Sequence, residues 1–401
     1  MNLDFSDDQK FLQSEARKFL EKEDSIKRSR NVLDKSGSVD RDLWEKIVAL
    51  GLGKVGALVG VLLSKQYEVI GVDRQKPHYD FQLPFKVIEG DVTDVEFMTN
   101  LLKENEAVVS ALPYFLNKSI AKIAHDLGIH YFDLTEDIET TNYIRELSKT
   151  SKGVMAPQCG LAPGVIGIIG ANLANEFTKL RDIELRVGAL PRYPNGQMAY
   201  SFTWSPAGVI NEYINDAEAI HHGERKMVTS LNGFEYINIG GLEFEAFTTS
   251  GGLGTMCETY EGKVDTLNYK SIRYPGHGKL MKFLISELIM KDDKETLTEI
   301  LENAKPPVKE DVVYIYAVVE GWKNEKLFRN EYYKAFFPME IEGQEWRAIS
   351  WTTAASIAAV IELVDKGDLP NKGFIKQEEI SFEAFKKTKS GGLYEKGDTV
   401  R

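Results

Sequence analysis

Gly51-Leu52-Gly53-Lys54-Val55-Gly56 is the stretch that decides the fold of this chain. It follows a short apolar run at 46–50 and opens a helix-like run at 54–65. A second β-like run at 67–72 ends on Asp73. Strand, glycine turn, helix, strand and acid in that order make a βαβ unit able to hold a dinucleotide. Gly51 permits the tight turn, Gly53 lets the main chain approach a pyrophosphate, and Gly56 lets the helix lie close on the strand. Lys54 and Val55 sit in the same turn, where the helix N-terminus offers free N–H groups and a positive dipole end. Asp73 follows Gly51 by 22 positions, near the spacing of a carboxylate that binds the adenosine ribose hydroxyls. An acid there repels a 2′-phosphate, so NAD is the expected cofactor. Arg74 beside it keeps NADP open.

Outward from the turn the same grammar repeats. Apolar strand-like runs at 85–88, 107–112, 129–134 and 154–156 alternate with helix-like runs at 94–104, 116–127 and 140–150. Short links between them predict a parallel, doubly wound sheet over residues 46–162. After Pro163 the pattern changes to one helix at 165–179 and then longer two-sided strands, including 183–190, 226–231, 236–239, 311–320 and 325–337. Residues 163–345 therefore read as an α+β domain with a mostly antiparallel sheet. A small apolar helix at 352–365 is expected to return to the first domain, ahead of a polar tail. Residues 1–45 read as a charged helical extension, with Ser6 and Gln9 forming a capping box.

Composition narrows the function. A chain of 401 residues holds about two domains. Its net charge of −12 offers no polyanion surface, so nucleic acid is not an expected partner. The two cysteines, Cys159 and Cys257, form no disulfide framework and no metal cluster. The start of the chain is acidic and unlike a signal peptide. Apolar runs such as 165–174 fall short of the ~20 residues that span a bilayer. These features fit the cytoplasm.

Ligands bind parallel sheets at the carboxyl ends of the strands. Ser110, Leu112 and Tyr114 lie past the fourth strand, Asp133 and Glu136 past the fifth, and Cys159 past the sixth, while Asp91 follows the third. Asp91, Ser110 and Leu112 are candidates for cofactor contact. The second domain adds Thr249-Ser250-Gly251-Gly252, a polar loop, and Arg273-Tyr274-Pro275-Gly276-His277. Arg273 suits a substrate carboxylate because its fork matches two oxygens. His277 titrates near neutral pH as a free imidazole. Trp204 is a candidate wall of the pocket, and Thr249 and Cys159 are candidate substrate contacts.

Taken together, the glycine turn, Ser110 to Tyr114, Cys159-Gly160-Leu161-Ala162-Pro163-Gly164, Thr249 to Gly252 and Ile272 to His277 resemble the saccharopine dehydrogenase-like family, and within it the lysine 6-dehydrogenases. The resemblance covers residues ~46–390 in matching order. It implies a Rossmann domain, a second domain lining the substrate site, a homodimer or higher homo-oligomer, and oxidation of an amino acid's side-chain amine. Lysine 6-dehydrogenases resemble Asp-Leu-Gly-Gly-His where this chain has Asp133-Leu134-Thr135-Glu136-Asp137. Residues 1–45, through Asn2 to Lys10 and Ala16 to Lys22, are similar instead to the amino-terminal helix of acyl-CoA dehydrogenases, without that family's flavin or catalytic residues.

The expected chemistry is NAD-dependent oxidation of an amine. It needs a base, because an ammonium has no lone pair with which to form the imine. Asp133, Glu136, His277 and Tyr114 are the candidates for proton transfer. The alternatives are a saccharopine-type or carboxynorspermidine-type condensation, and a non-catalytic dinucleotide-binding chimera.

Overall fold

The computed structural model describes residues 44–398. The helical reading of residues 1–45, with its likeness to acyl-CoA dehydrogenases, lies almost wholly outside the described residues. Strand β1 (Lys46–Leu50) leads through the glycine turn to helix α1 (Gly56–Leu63) and strand β2 (Glu68–Asp73). β3 (Lys86–Glu89), α2 (Val95–Leu102), β4 (Ala107–Ser110), α3 (Tyr114–Leu127), β5 (His130–Asp133), α4 (Ile138–Ser148) and β6 (Val154–Ala156) follow. The sheet runs β3-β2-β1-β4-β5-β6, all parallel, which is a doubly wound Rossmann sheet. β1 reads Ile-Val-Ala-Leu without polar alternation because both of its faces are covered; Ile47 to Leu50 are at most 1 % exposed.

Local chemistry stops and starts these helices. Asp94 and Asp137 cap α2 and α4 by accepting from Phe97 N and Thr140 N. Gly128 ends α3 in a left-handed conformation.

The second domain opens with α5 (Val165–Ala174) and β7 (Lys179–Pro191), then α6 (Pro206–Ile214), β8 (Ala217–His221), β9 (Glu224–Val228), β10 (Glu235–Ile239) and β11 (Leu242–Thr248). It continues with α7 (Met256–Tyr260), β12 (Thr266–Arg273), α8 (His277–Lys282), α9 (Lys294–Ala304), β13 (Asp311–Lys323) and β14 (Lys326–Phe336). The sheet order is β10-β11-β12-β7-β13-β14, with β8 and β9 paired off β12. The sheet is mixed. β7 and β12 run parallel at its centre, and its other pairs are antiparallel.

A two-stranded ribbon, β15 (Met339–Ile341) with β16 (Gln344–Trp346), precedes α10 (Ala348–Asp365). α10 packs against α1 of the first domain. Its N-terminus is held from the second domain, where Asp311 at the head of β13 accepts from Ala348 N at 2.7 Å and Ile349 N at 2.9 Å. α10 is apolar and long enough to cross a membrane, which the sequence reading overlooked. Yet 89 % of it is buried inside the protein, as in the core helix of a globular fold. β17 (Gly373–Phe374) adds a seventh parallel strand beside β6, and α11 (Phe382–Lys387) follows.

Candidate active site

The glycine turn is built as its sequence requires. Gly51 has φ +79° and packs so tightly that an added Cβ would lie 2.8 Å from Ala111 O. At Gly56 a Cβ would lie 2.0 Å from Gly51 O. At Gly53 a Cβ would meet nothing within 4 Å. Two glycines are thus demanded by packing and the third faces open space, leaving bare main chain where a diphosphate approaches. No side chain caps α1, so the N–H groups of its first turn keep their donors free of side-chain partners. Asp73 braces the turn by accepting from Leu52 N at 2.7 Å. Tyr79, which sequence reasoning missed, donates toward the carbonyls of Leu52 and Gly53 at 3.2 and 3.1 Å. The residues present therefore fit a dinucleotide.

A cavity of about 500 Å³ opens from this turn into the second domain. The first domain contributes Gly51, Gly53, Lys54, Val55, Gly56, Leu112, Tyr114, Glu136 and the loop Gly160 to Pro163. The second contributes Val187 and Ala189 of β7, Thr203, Trp204 and Ser205, Glu212 of α6, and Tyr269, Ser271 and Arg273 of β12. Ile349 and Thr353 of α10 close one side.

Arg273 is 3 % exposed. Its Nε donates to Tyr213 Oη at 2.7 Å and its Nη1 to Ile272 O at 2.8 Å. Among the described residues nothing accepts from its Nη2. The guanidinium also lies over the rings of Tyr200 and Tyr213, at 4.9 and 5.6 Å. Thr203, which lines the same cavity, is 1 % exposed, and its hydroxyl has no hydrogen-bond partner among the described residues.

Two carboxyls face this cation's cavity. Burial pushes Glu136 up to about 7, and the neighbouring Asp137 and Asp133 add to the rise. Glu212, 6 % exposed, is pushed well above the usual carboxylate range by burial and then by Glu136, against the pull of Arg273. Among the described residues Glu212's carboxyl has no hydrogen bond and no ion pair. The sequence reading missed Glu212. Its one signal was an acid amid the apolar run of α6, four positions after Gly208 on the buried face.

Several expected site residues are not brought to the cavity. His277 is fully buried, with Nδ1 3.0 Å from Met198 O and Nε2 3.1 Å from Tyr213 Oη. Burial and then Arg273 push its pKa down to about 3, so it is neutral at physiological pH and holds Tyr213 instead of exchanging protons. Asp133 is also fully buried and lies off the cavity. It accepts from Tyr131 Oη, Thr135 N and Gln158 N, tying the ends of β5 and β6 together. Cys159 is buried against Ala156 O and Gln377, its thiol pushed up by burial and then by Asp133. Thr249 bonds Ser271 and faces a smaller neighbouring cavity of about 80 Å³. Ser110 is spent on Asn117 Oδ1 at 2.7 Å. Arg74 and Asp91 are exposed and 4.0 Å apart. Trp204 lines the cavity, its ring seated on Gly208.

Residues 47–156 match the family model described as the saccharopine dehydrogenase NADP binding domain, and residues 160–389 match the saccharopine dehydrogenase C-terminal domain. The alpha-aminoadipic semialdehyde synthase of Arabidopsis thaliana is 24 % identical over 208 residues, 48 % of this chain and 20 % of that protein. The saccharopine dehydrogenase [NADP(+), L-glutamate-forming] of Saccharomyces cerevisiae is 24 % identical over 270 residues, 60 % of this chain and 58 % of that one. The chain thus spans less than two thirds of the length of these curated relatives. The solved structure of apo histidine-tagged saccharopine dehydrogenase (L-Glu forming) from Saccharomyces cerevisiae superposes with a TM-score of 0.68 at 16 % identity, covering 85 % of this chain and 97 % of that one. It has the same fold.

Proposed function

The chain belongs to the saccharopine dehydrogenase family, and from that premise we propose that it is a nicotinamide dinucleotide-dependent oxidoreductase acting at the amine-bearing carbon of an amino acid. The observation that carries this reading is one continuous cavity joining the glycine turn to Arg273. Gly51, Gly53, Lys54, Val55 and Gly56 would hold the pyrophosphate, and Asp73 the adenosine ribose. When bound, the dinucleotide supplies the hydride acceptor. The chain's own residues do the rest. Arg273 and Thr203 grip a carboxylate, Trp204 and the β7 side chains exclude water, and a carboxyl at the far side handles the amine's proton.

Within that class the preferred reading is oxidation of a primary side-chain amine, lysine 6-dehydrogenase-like. A saccharopine-type reaction at a secondary amine is the second reading. It draws on the yeast relative, whose name specifies saccharopine and NADP(+). Direct fluorescence titration with NAD and NADP, followed by absorbance of the reduced cofactor against a panel of diamino acids, saccharopine and polyamines, tests both. NAD should bind at least tenfold tighter than NADP, because Asp73 repels a 2′-phosphate, and lysine-like substrates should turn over. Failure of either dinucleotide to bind would remove the reading.

A further inference from the structure

We propose that Glu136 and Glu212 act as a pair that receives the substrate's reacting ammonium and accepts its proton, so that the site selects amino acids with a single carboxylate and a distal amine. The inference rests on the amino-acid reading above and deepens it.

The two glutamates come from different domains yet line one cavity. A single loop joins them. Ser250 N donates to the main-chain oxygen of Glu212 at 3.0 Å. Next to it Gly251, at φ +85°, lies so close that a Cβ would sit 2.8 Å from Glu136 O and 3.1 Å from Glu136 Cβ. The loop from Thr249 to Gly254 is thus a staple that fixes one carboxyl relative to the other. This is the role the sequence did not reveal for its glycines.

Buried carboxylates are ordinarily paired. Glu212's carboxyl makes no hydrogen bond or ion pair among the described residues, and Thr203, in the same cavity lining, carries a buried hydroxyl with no partner among them. Both lacks are met by one ligand whose ammonium faces Glu212 and Glu136 and whose carboxylate faces Arg273 and Thr203. The charge balance limits what that ligand can be. Among the lining residues the cations are Arg273 and Lys54, and Lys54 belongs to the dinucleotide turn. One guanidinium serves one carboxylate. A tricarboxylate would bring two uncompensated anions toward two glutamates.

The proton step is balanced within the pair. One N–H bond of the ammonium breaks, its electron pair stays on nitrogen, and an O–H bond forms on one carboxylate. The neutral amine that remains has the lone pair its oxidation requires. The groups that set this titration are all at hand. Asp133, Asp137, Tyr114 and Glu212 act on Glu136 or respond to it, and Glu136, Arg273, Tyr200, Tyr213 and Tyr269 do so for Glu212. Glu136 acts on Glu212 as a like charge, which favours keeping one carboxyl protonated while the other ionises.

The test compares wild type, Glu136→Gln and Glu212→Gln as full chains. First, carbon-13 NMR of glutamate-labelled, ligand-free protein should show a carboxyl titrating near or above neutrality that is lost or moved to lower pH in both variants. Second, calorimetry with lysine should show at least a tenfold loss of affinity in both variants, with NAD affinity held within twofold. Third, the limb of kcat/KM that rises near neutral pH should flatten in Glu136→Gln. Wild type should also prefer lysine to saccharopine by at least tenfold. The proposal is overturned if no glutamate titrates above pH 6, if both variants bind lysine as wild type does, or if saccharopine is preferred. Loss of dinucleotide binding in wild type would instead overturn the broader reading, and the NMR titration would still judge the pair.

Discussion

At the scale of single residues, the site works through a chain of hydrogen bonds that begins at a buried histidine. His277 meets the carbonyl oxygen of Met198 through Nδ1, which makes that nitrogen the donor. Nε2 then accepts from Tyr213 Oη, and the same phenol oxygen accepts from Arg273 Nε. Each member has one partner on either side, so Arg273 is aimed by contacts made before substrate arrives. Tyr213→Phe removes the one oxygen that both neighbours use. We expect a loss of about 2 kcal/mol, or roughly a thirtyfold rise in KM for the amino acid, because a charge-assisted bond is lost and Nε is left unpaired. Dinucleotide affinity should stay within twofold of wild type. An unchanged KM would show that Arg273 is held by its bond to Ile272 O and by the rings alone. His277 illustrates what residue type cannot disclose. The sequence offered an imidazole near a carboxylate clamp, which reads as a proton shuttle. Burial, which sequence does not report, keeps it neutral and makes it a strut. Glu212 is the converse case. Its type suited the chemistry, but an acid inside an apolar helical run gives no sign of the cavity it faces.

At the scale of elements, the turn after β1 was legible because each of its glycines answers a different steric demand and the demands fall at fixed spacing. The structure separates those demands, and substitution should separate them too. Gly56→Ala sets a methyl 2.0 Å from Gly51 O and 3.0 Å from Ala111 Cβ. Backbone cannot yield there as a side-chain end can, so we expect a loss of about 3 kcal/mol or failure to fold. Gly53→Ala meets nothing within 4 Å, so stability should change by about 0.5 kcal/mol or less. Its methyl nevertheless occupies the approach to the main-chain N–H groups, and NAD affinity should fall at least tenfold. Thermal melts paired with fluorescence titration read both effects. If Gly53→Ala bound NAD like wild type, the diphosphate would have to lie elsewhere. The second domain was less legible for a physical reason. β12 buries Leu267, Tyr269 and Ser271 on one face, an alternation blurred by tyrosine and serine. Its parallel partner β7 lies some 80 positions upstream, and period-2 patterning identifies a strand without identifying its neighbour. The mostly antiparallel sheet that was expected is present, but the central parallel pair that presents Val187, Ser271 and Arg273 to the cavity was not foreseen.

At the scale of the whole molecule, the buried ionisable groups pull stability in opposite directions. His277 and His130 are pushed down to about 3 and about 4 by burial. Through these two groups the unfolded chain binds more protons than the folded one below about pH 6.5, and their contribution to stability falls as the medium is acidified through that range. Asp133 and Asp311 are pushed up to about 6 and Glu136 to about 7, chiefly by burial, and Glu212 is raised as well. For these the folded chain binds more protons, so their contribution is whole below about pH 4 and is lost as pH rises through 6 and 7. Above pH 6.5 the histidine contribution is complete and only the carboxyls still act, so stability should decline from pH 6.5 to 8. Above pH 6.5 that decline comes chiefly from Glu136 and Glu212, the two raised carboxyls that line the cavity. Glu212→Gln removes one of them without changing its shape. At pH 8 it should melt higher than wild type, since burial and Glu136 raise this carboxyl and wild type must carry the cost of ionising it in the folded chain. At pH 5 the difference should shrink, because the raised carboxyl gives up its proton less readily in acid. Calorimetric scans at both pH values decide the matter. A variant less stable than wild type at pH 8 would mean that Glu212 is ionised and satisfied in the folded protein, and that the cavity's negative charge is structural and not reserved for a substrate.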